Sequence, residues 1–439
     1  MKYIVMNEGL TVNSINESKT HVRKLVLFCL LICLGVFFRD LYGIPINKYM
    51  FLMISVIAFL LLNQGAIVAF IAFIIPFLPG LPANYIIGLA IPFLLFKQKH
   101  VRINIYMFAA YAFLLLEMLH LFLPLSSLGD FFKFSSYIIL LSLILLKKNN
   151  DYNYTVILLS YCFGVISAFT SILIHSLQYM PLYLVFEKGI RIGNIASVNQ
   201  QFDPTIITLT MDQNTLGYFC AIGIAVLLIL QYAKRLKLTI GIPLTIITFI
   251  YGSLTLSRTF ILISFLVFFY YFFINLRLNN TSIKAVFSLL FAVILMIVTI
   301  QAYFPSTLEL LITRFQESDL TNGRGQIFEQ YNHFIFSSLK NFLFGIGIQN
   351  MNIKANLFNV PHNGLQQIFV AGGVVGLFLL ALWLIGMYRL NAPNSKRQLP
   401  VFLLPLITMF AYIQGLQFLY PYFIMLPLIV VFSALRLSD

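Results

Sequence analysis

Apolar runs of bilayer length, repeated from one end of the chain to the other, leave little choice of fold. A hydrocarbon core takes about twenty apolar residues per helix, fewer where the bilayer thins. On that scale the sequence divides into runs at approximately 25–38, 49–62, 65–78, 83–96, 103–123, 131–146 and 154–177. Further runs follow at 215–232, 238–254, 259–274, 283–302, 364–388, 399–413 and 419–435. The second and third are parted only by Asn63 and Gln64. With 60% of its 439 residues hydrophobic and 10% charged, the chain has more apolar surface than a soluble domain can hide. The expected fold is therefore an all-α polytopic membrane protein of about 14 transmembrane helices.

Lys and Arg collect in cytoplasmic loops, which gives an independent reading of orientation. With the N-terminus inside, 18 of the 28 basic residues fall in inner segments and 10 in outer ones. Both termini are thus expected in the cytoplasm. The net charge of +14 orients helices and does not form a nucleic-acid surface, because no basic run exceeds a few residues. The polar stretch 7–24 lacks the form of a cleaved secretory signal, so the first apolar run is expected to stay as an anchor. Cys29, Cys33, Cys162 and Cys220 all lie inside apolar runs and read as small fillers.

These boundaries give a cytoplasmic arm at 1–24, transmembrane helices 1–7 over 25–177, a first long outer loop at 178–212 and helices 8–11 over 213–302. A second long outer loop at 303–363 and helices 12–14 over 364–439 complete the chain. Every inner loop is too short to fold around a nucleotide, and neither a phosphate-cradling glycine loop nor a dinucleotide fingerprint occurs. The long loops are therefore the place to look for function. In the second, Ile327, Phe328, Tyr331, Ile335, Leu339 and Phe342 recur at helical spacing. They predict one amphipathic helix at the outer interface, entered after Gly323 and stopped at Gly345 and Gly347, that either packs on the bundle or lids a substrate.

Three basic groups stand where such loops meet apolar runs. Arg258 opens the tenth run, where a guanidinium fork and a helix N-terminus together suit an anion. Arg324 sits between Gly323 and Gly325, directly before the amphipathic helix. His362 and Asn363 follow Pro361 at the mouth of the twelfth run, where an imidazole can act as general base or bind phosphate. Gly372 and Gly376 form a close-packing face on that run. Arg191 and Arg314 are further outer-loop cations that could touch substrate. Among the acids, Glu317 and Asp319 read as solvated, and Asp203 and Asp212 end the first loop, with Asp212 as a helix cap. Glu117 and His120, three apart in the fifth run, are expected to pair with each other or with another helix, or to carry a proton or substrate role.

Taken in order, Ser257-Arg258, Gly323-Arg324 before an amphipathic helix, and His362-Asn363-Gly-Leu-Gln before a glycine-rich helix resemble the O-antigen polymerase and ligase superfamily. The resemblance is most specific over 212–376. It implies a GT-C-type glycosyltransferase of the bacterial cytoplasmic (inner) membrane, using an undecaprenyl-diphosphate-linked oligosaccharide as donor on the outer face. It further implies that Arg258 and Arg324 hold the diphosphate, that His362 assists near the acceptor, and that Arg191 is similar to a glycan-holding loop arginine. A partner protein that regulates chain length is implied by the family alone. Such a donor is already activated, so the expected needs are charge stabilisation and a base. With no DxD-type motif in view, no metal or other cofactor is expected. The leading expectation is a repeat-unit polymerase making O-antigen, capsule or exopolysaccharide. An O-antigen ligase acting on a lipid A core and a lipid-linked oligosaccharide flippase are the alternatives.

Overall fold

The computed structural model describes residues 12–98, 104–146, 152–179, 208–277, 323–392 and 398–438, with 181, 183, 184, 192 and 298 besides. Among these residues there is no strand. The first half is α1 (Val12–Tyr42), α2 (Lys48–Leu61), α3 (Gln64–Ile74), a 3-10 turn at Ile75–Gly80, α4 (Ala83–Lys97), α5 (Ile105–Leu119), α6 (Leu128–Leu145) and α7 (Tyr154–Tyr179). Then come α8 (Gln213–Tyr232), α9 (Leu238–Leu254), α10 (Arg258–Arg277), α11 (Arg324–Phe336), α12 (Leu339–Phe344) and α13 (Met351–Lys354). The chain ends with α14 (Gly364–Asn391), α15 (Leu399–Phe402), α16 (Leu404–Ile413) and α17 (Leu428–Leu435).

Seven of the described helices are long and apolar enough to cross a membrane, and six shorter apolar helical stretches lie between or after them. The protein is a polytopic helical membrane protein. Outward-facing side chains such as Phe96, Ile105, Phe122 and Leu266 are strongly exposed, as a lipid-facing surface requires. The run expected at 283–302 lies almost wholly outside the described residues, and six other expected runs are the shorter stretches, so among the described residues seven of the fourteen runs are full-length spans. The short helices have local causes. Asn63 breaks the chain between α2 and α3 by accepting the Ala66 N–H at 2.9 Å. Lys97 Nζ, from the end of α4, takes the carbonyls of Leu60 and Leu62 that α2 leaves free.

The centre of the bundle is α8, 94% buried along its apolar window, against 39% for α5 and α10. It packs on α7, α9, α10, α16 and α17. Its N-cap is Asp212, whose Oδ2 accepts from the N–H groups of Asn214 and Thr215 at 2.9 and 3.1 Å. The core helix of the fold therefore starts at the end of the bundle where the candidate site lies.

The helix α14 is broken inside. Gly373 adopts φ 61° and ψ −159°, which L side chains rarely adopt. The carbonyls of Val370 and Ala371, which a regular helix would spend on residues four further on, accept instead from Ile346 N at 3.0 Å and Gly347 N at 2.8 Å. The segment after α12 thus docks edge-on into the break. The expected close-packing face forms beside it: a Cβ on either Gly372 or Gly376 would lie 3.2 Å from Phe113 Cε2 of α5. The single amphipathic helix expected across 327–342 is two, because Ser338 caps a fresh helix by accepting from Asn341 N at 3.1 Å. Tyr331 and Ile335 of α11 are buried, while Phe328, Phe336 and Leu339 stay exposed.

Candidate functional site

Helix beginnings dominate one end of the bundle. Gly323 turns the chain at φ 76° so that Arg324 becomes the first residue of α11. Arg324 Nη1 donates to Gly415 O at 2.8 Å, fixing the guanidinium beside the segment after α16. His362 stands two residues before α14, half-buried. Asn363 caps that helix by accepting from Gln366 N at 3.0 Å, and its Nδ2 donates to Gln414 O and Oε1 at 3.1 and 3.2 Å. The Asn363 amide is therefore engaged on both sides by the protein, bracing the site from its edge.

Arg324, His362 and Asp212 line one cavity of about 290 Å³, with Thr210, Asn214, Thr215 and Gln417 as further polar walls. Pro79, Met211, Leu416, Pro421, Phe423 and Ile424 supply an apolar side. Arg258 is not among the lining residues, but its two neighbours reach the rim. Ser257 Oγ donates to Asn214 Oδ1 at 3.1 Å and lies 3.4 Å from Tyr412 Oη. A Cβ on Gly415 would meet Arg324 Nη1 at 3.3 Å and Thr259 Oγ1 at 3.7 Å. The starts of α8, α11 and α14 consequently meet at one cavity, where the positive ends of the helix dipoles add to the Arg324 charge. That arrangement favours an anion with room for a larger, partly apolar group.

The His362 imidazole is pushed below its usual pKa, first by burial and then by the Arg324 charge, with Asp212 opposing both. It is therefore the neutral base at pH 7, able to accept a proton. Asp212 was legible only as a cap. Its place in the cavity depends on contacts far along the chain, which its local sequence does not encode.

Two glutamines, unassigned by the motif reading, hold the site together. Gln366 Nε2 donates to Phe328 O at 2.7 Å and Asn332 Oδ1 at 3.0 Å, both on α11. Gln367, fully buried, accepts at Oε1 from Phe418 N and Leu419 N at 2.7 and 2.6 Å. Tyr331 Oη adds a bond to Asn359 O at 2.7 Å. Arg191, Arg314, Asp203, Glu317 and Asp319 lie outside the described residues. Glu117 and His120 are away from the cavity, against the segment that docks into α14. Glu117 Oε2 accepts from Ile348 N at 3.0 Å, and Oε1 stands 3.6 Å from His120 Nδ1. Among the described residues no cluster of His, Cys, Asp or Glu could hold a metal ion.

No curated protein matches the chain. Residues 243–381, a stretch that includes Arg258, Arg324 and His362, match the family model described as O-antigen ligase, so this part of the chain is similar to that family.

Proposed function

We infer that the protein is a membrane glycosyltransferase that moves a glycan from a polyprenyl-diphosphate carrier, of the undecaprenyl type, onto an acceptor hydroxyl. The observation that carries this reading is the shared cavity of Arg324, His362 and Asp212, with Arg258 opening a helix between Ser257, bonded to the lining Asn214, and Thr259, close to the lining Gly415. Members of the matched superfamily are glycosyltransferase-like membrane enzymes. In the reaction the bond from the anomeric carbon to the diphosphate oxygen breaks and a bond to the acceptor oxygen forms. The acceptor proton passes to His362 Nε2 or Nδ1, and the departing diphosphate gathers charge that Arg324 and Arg258 offset. His362 must be neutral to accept, as its lowered pKa makes it.

The same reading sets the protein in the bacterial cytoplasmic membrane with fourteen crossings in a GT-C arrangement and both termini inside. The long outer loops at 178–212 and 303–363 then bring Arg191 and Arg314 to the glycan. We favour a repeat-unit polymerase, with lipid-linked glycan as acceptor and a chain-length regulator as partner, because two long loops suit two bulky saccharides. The description of the matched family favours a second reading, a ligase that delivers the chain to lipid A core. Purified protein given lipid-linked repeats alone separates them: a polymerase lengthens the chain, a ligase acts only when lipid A core is added. Transport of the carrier across liposomes with no new glycosidic bond in either mixture would overturn both.

A further inference from the structure

A buried ion pair lies behind the cavity wall. Arg39 and Asp40, in the last turn of α1, are 3% and 7% exposed. Groups so buried persist only when their charge and hydrogen bonds are matched. Arg39 Nε and Nη2 donate to the two Asp40 oxygens at 2.6 and 3.0 Å, a bidentate fork between sequence neighbours. The guanidinium carbon stands 5.2 Å from the centre of the Phe51 ring. Each partner then keeps one bond for a distant backbone group. Arg39 Nη1 donates to Gly80 O at 2.7 Å, and Asp40 Oδ2 accepts from Leu209 N at 3.1 Å. Gly80 and Leu209 press so closely that a Cβ on Gly80 would lie 2.7 Å from Leu209 Cα.

Both gripped positions border the cavity. Pro79 precedes Gly80, and Thr210, Met211 and Asp212 follow Leu209; all four line the wall. Residues 208–211 belong to no helix, while Asp212 is tied to α8 as its cap. The Asp40 carboxylate anchors the segment from its other end at Leu209, and Asp212 in turn faces His362 and sets part of its proton affinity.

We propose that Arg39 and Asp40 are positioning residues, a clamp that holds segment 209–212 against Pro79–Gly80 and so places Asp212 opposite His362. The inference rests on reading the cavity as the transfer site. The test uses the full chain with its four cysteines replaced and a spin label on Thr210→Cys, carrying Asp40→Ala, Asp40→Asn or Arg39→Lys. The label is expected to gain mobility most in Asp40→Ala and least in Asp40→Asn, which still offers Leu209 an acceptor. A reference label on Phe358→Cys, at a fully exposed loop position, is expected to stay unchanged. Without labels, Asp40→Ala and Arg39→Lys should lower kcat by about 10- to 100-fold with little change in KM, because the loosened 209–212 wall misplaces the reacting groups, an effect that neutralising Asp212 in place does not have. The acid limb of the pH profile should move to lower pH, because Asp212 no longer supports the protonated imidazole. An unmoved Thr210 label in all three folded variants overturns the clamp. A loosened label with transfer and pH profile as in the parent overturns instead the reading of the cavity, so the two failures are told apart.

Discussion

Two histidines in this protein each have an acidic neighbour, and they sit in opposite circumstances. His362 is half-buried and faces open volume shared with Arg324 and Asp212. His120 is 8% exposed and packs against Gly347, where a Cβ would come within 2.8 Å of its own Cβ. Its partner Glu117 spends one oxygen on the Ile348 N–H, and Lys354 ties Ile346 O to Ser126 Oγ at 3.0 and 2.9 Å. Residue type is therefore a poor guide to role. What decides it is whether the polar atoms look onto space that a ligand can fill or onto backbone that the fold must satisfy.

The sharpest way to break that contrast is to truncate both sides. Arg324→Ala should lower glycan transfer by about 100- to 1,000-fold and His362→Ala by about 100- to 10,000-fold, each with insertion and thermal unfolding like the parent. Transfer at parental rates in both would erase the distinction. Glu117→Ala should do the reverse. It leaves the Ile348 N–H without its acceptor, and a loss of about 1–3 kcal/mol should appear in thermal unfolding, while Glu117→Gln, which keeps an acceptor, should recover most of it. The smallest effect is expected from Asp212→Asn. Asparagine still caps α8, so the fold holds. Loss of the charge removes an influence that raises the His362 pKa, so the acid limb of the rate profile should shift down in pH, with no more than about a twofold change at pH 7.

Apolar period and caps carried much of the fold. Helices stand at the runs read from the sequence outside 283–302, and Asp212 caps α8 as its place before Gln213 and Asn214 implies. Motif order grouped Arg258, Arg324 and His362 as candidates; Arg324 and His362 line one cavity, and Arg258 is not among its lining residues. Long-range contacts did not show. Nothing near Glu117 announces a bond to Ile348, 231 positions away, or near Asp40 a bond to Leu209. The break at Gly373 was hidden inside an unbroken apolar run, where a glycine reads as a packing contact. Ser337-Ser338 interrupted an amphipathic period that looked continuous because the capping bond, not the apolar pattern, ends α11.

The adjacent glutamines of α14 have a mechanical consequence. Gln366 grips α11 and Gln367 grips the strip at Phe418 and Leu419, so one turn of helix spans the site like a crossbar between two jambs. A guest too wide for the gap must either strain that crossbar or carry the amphipathic arm and the far jamb outward together.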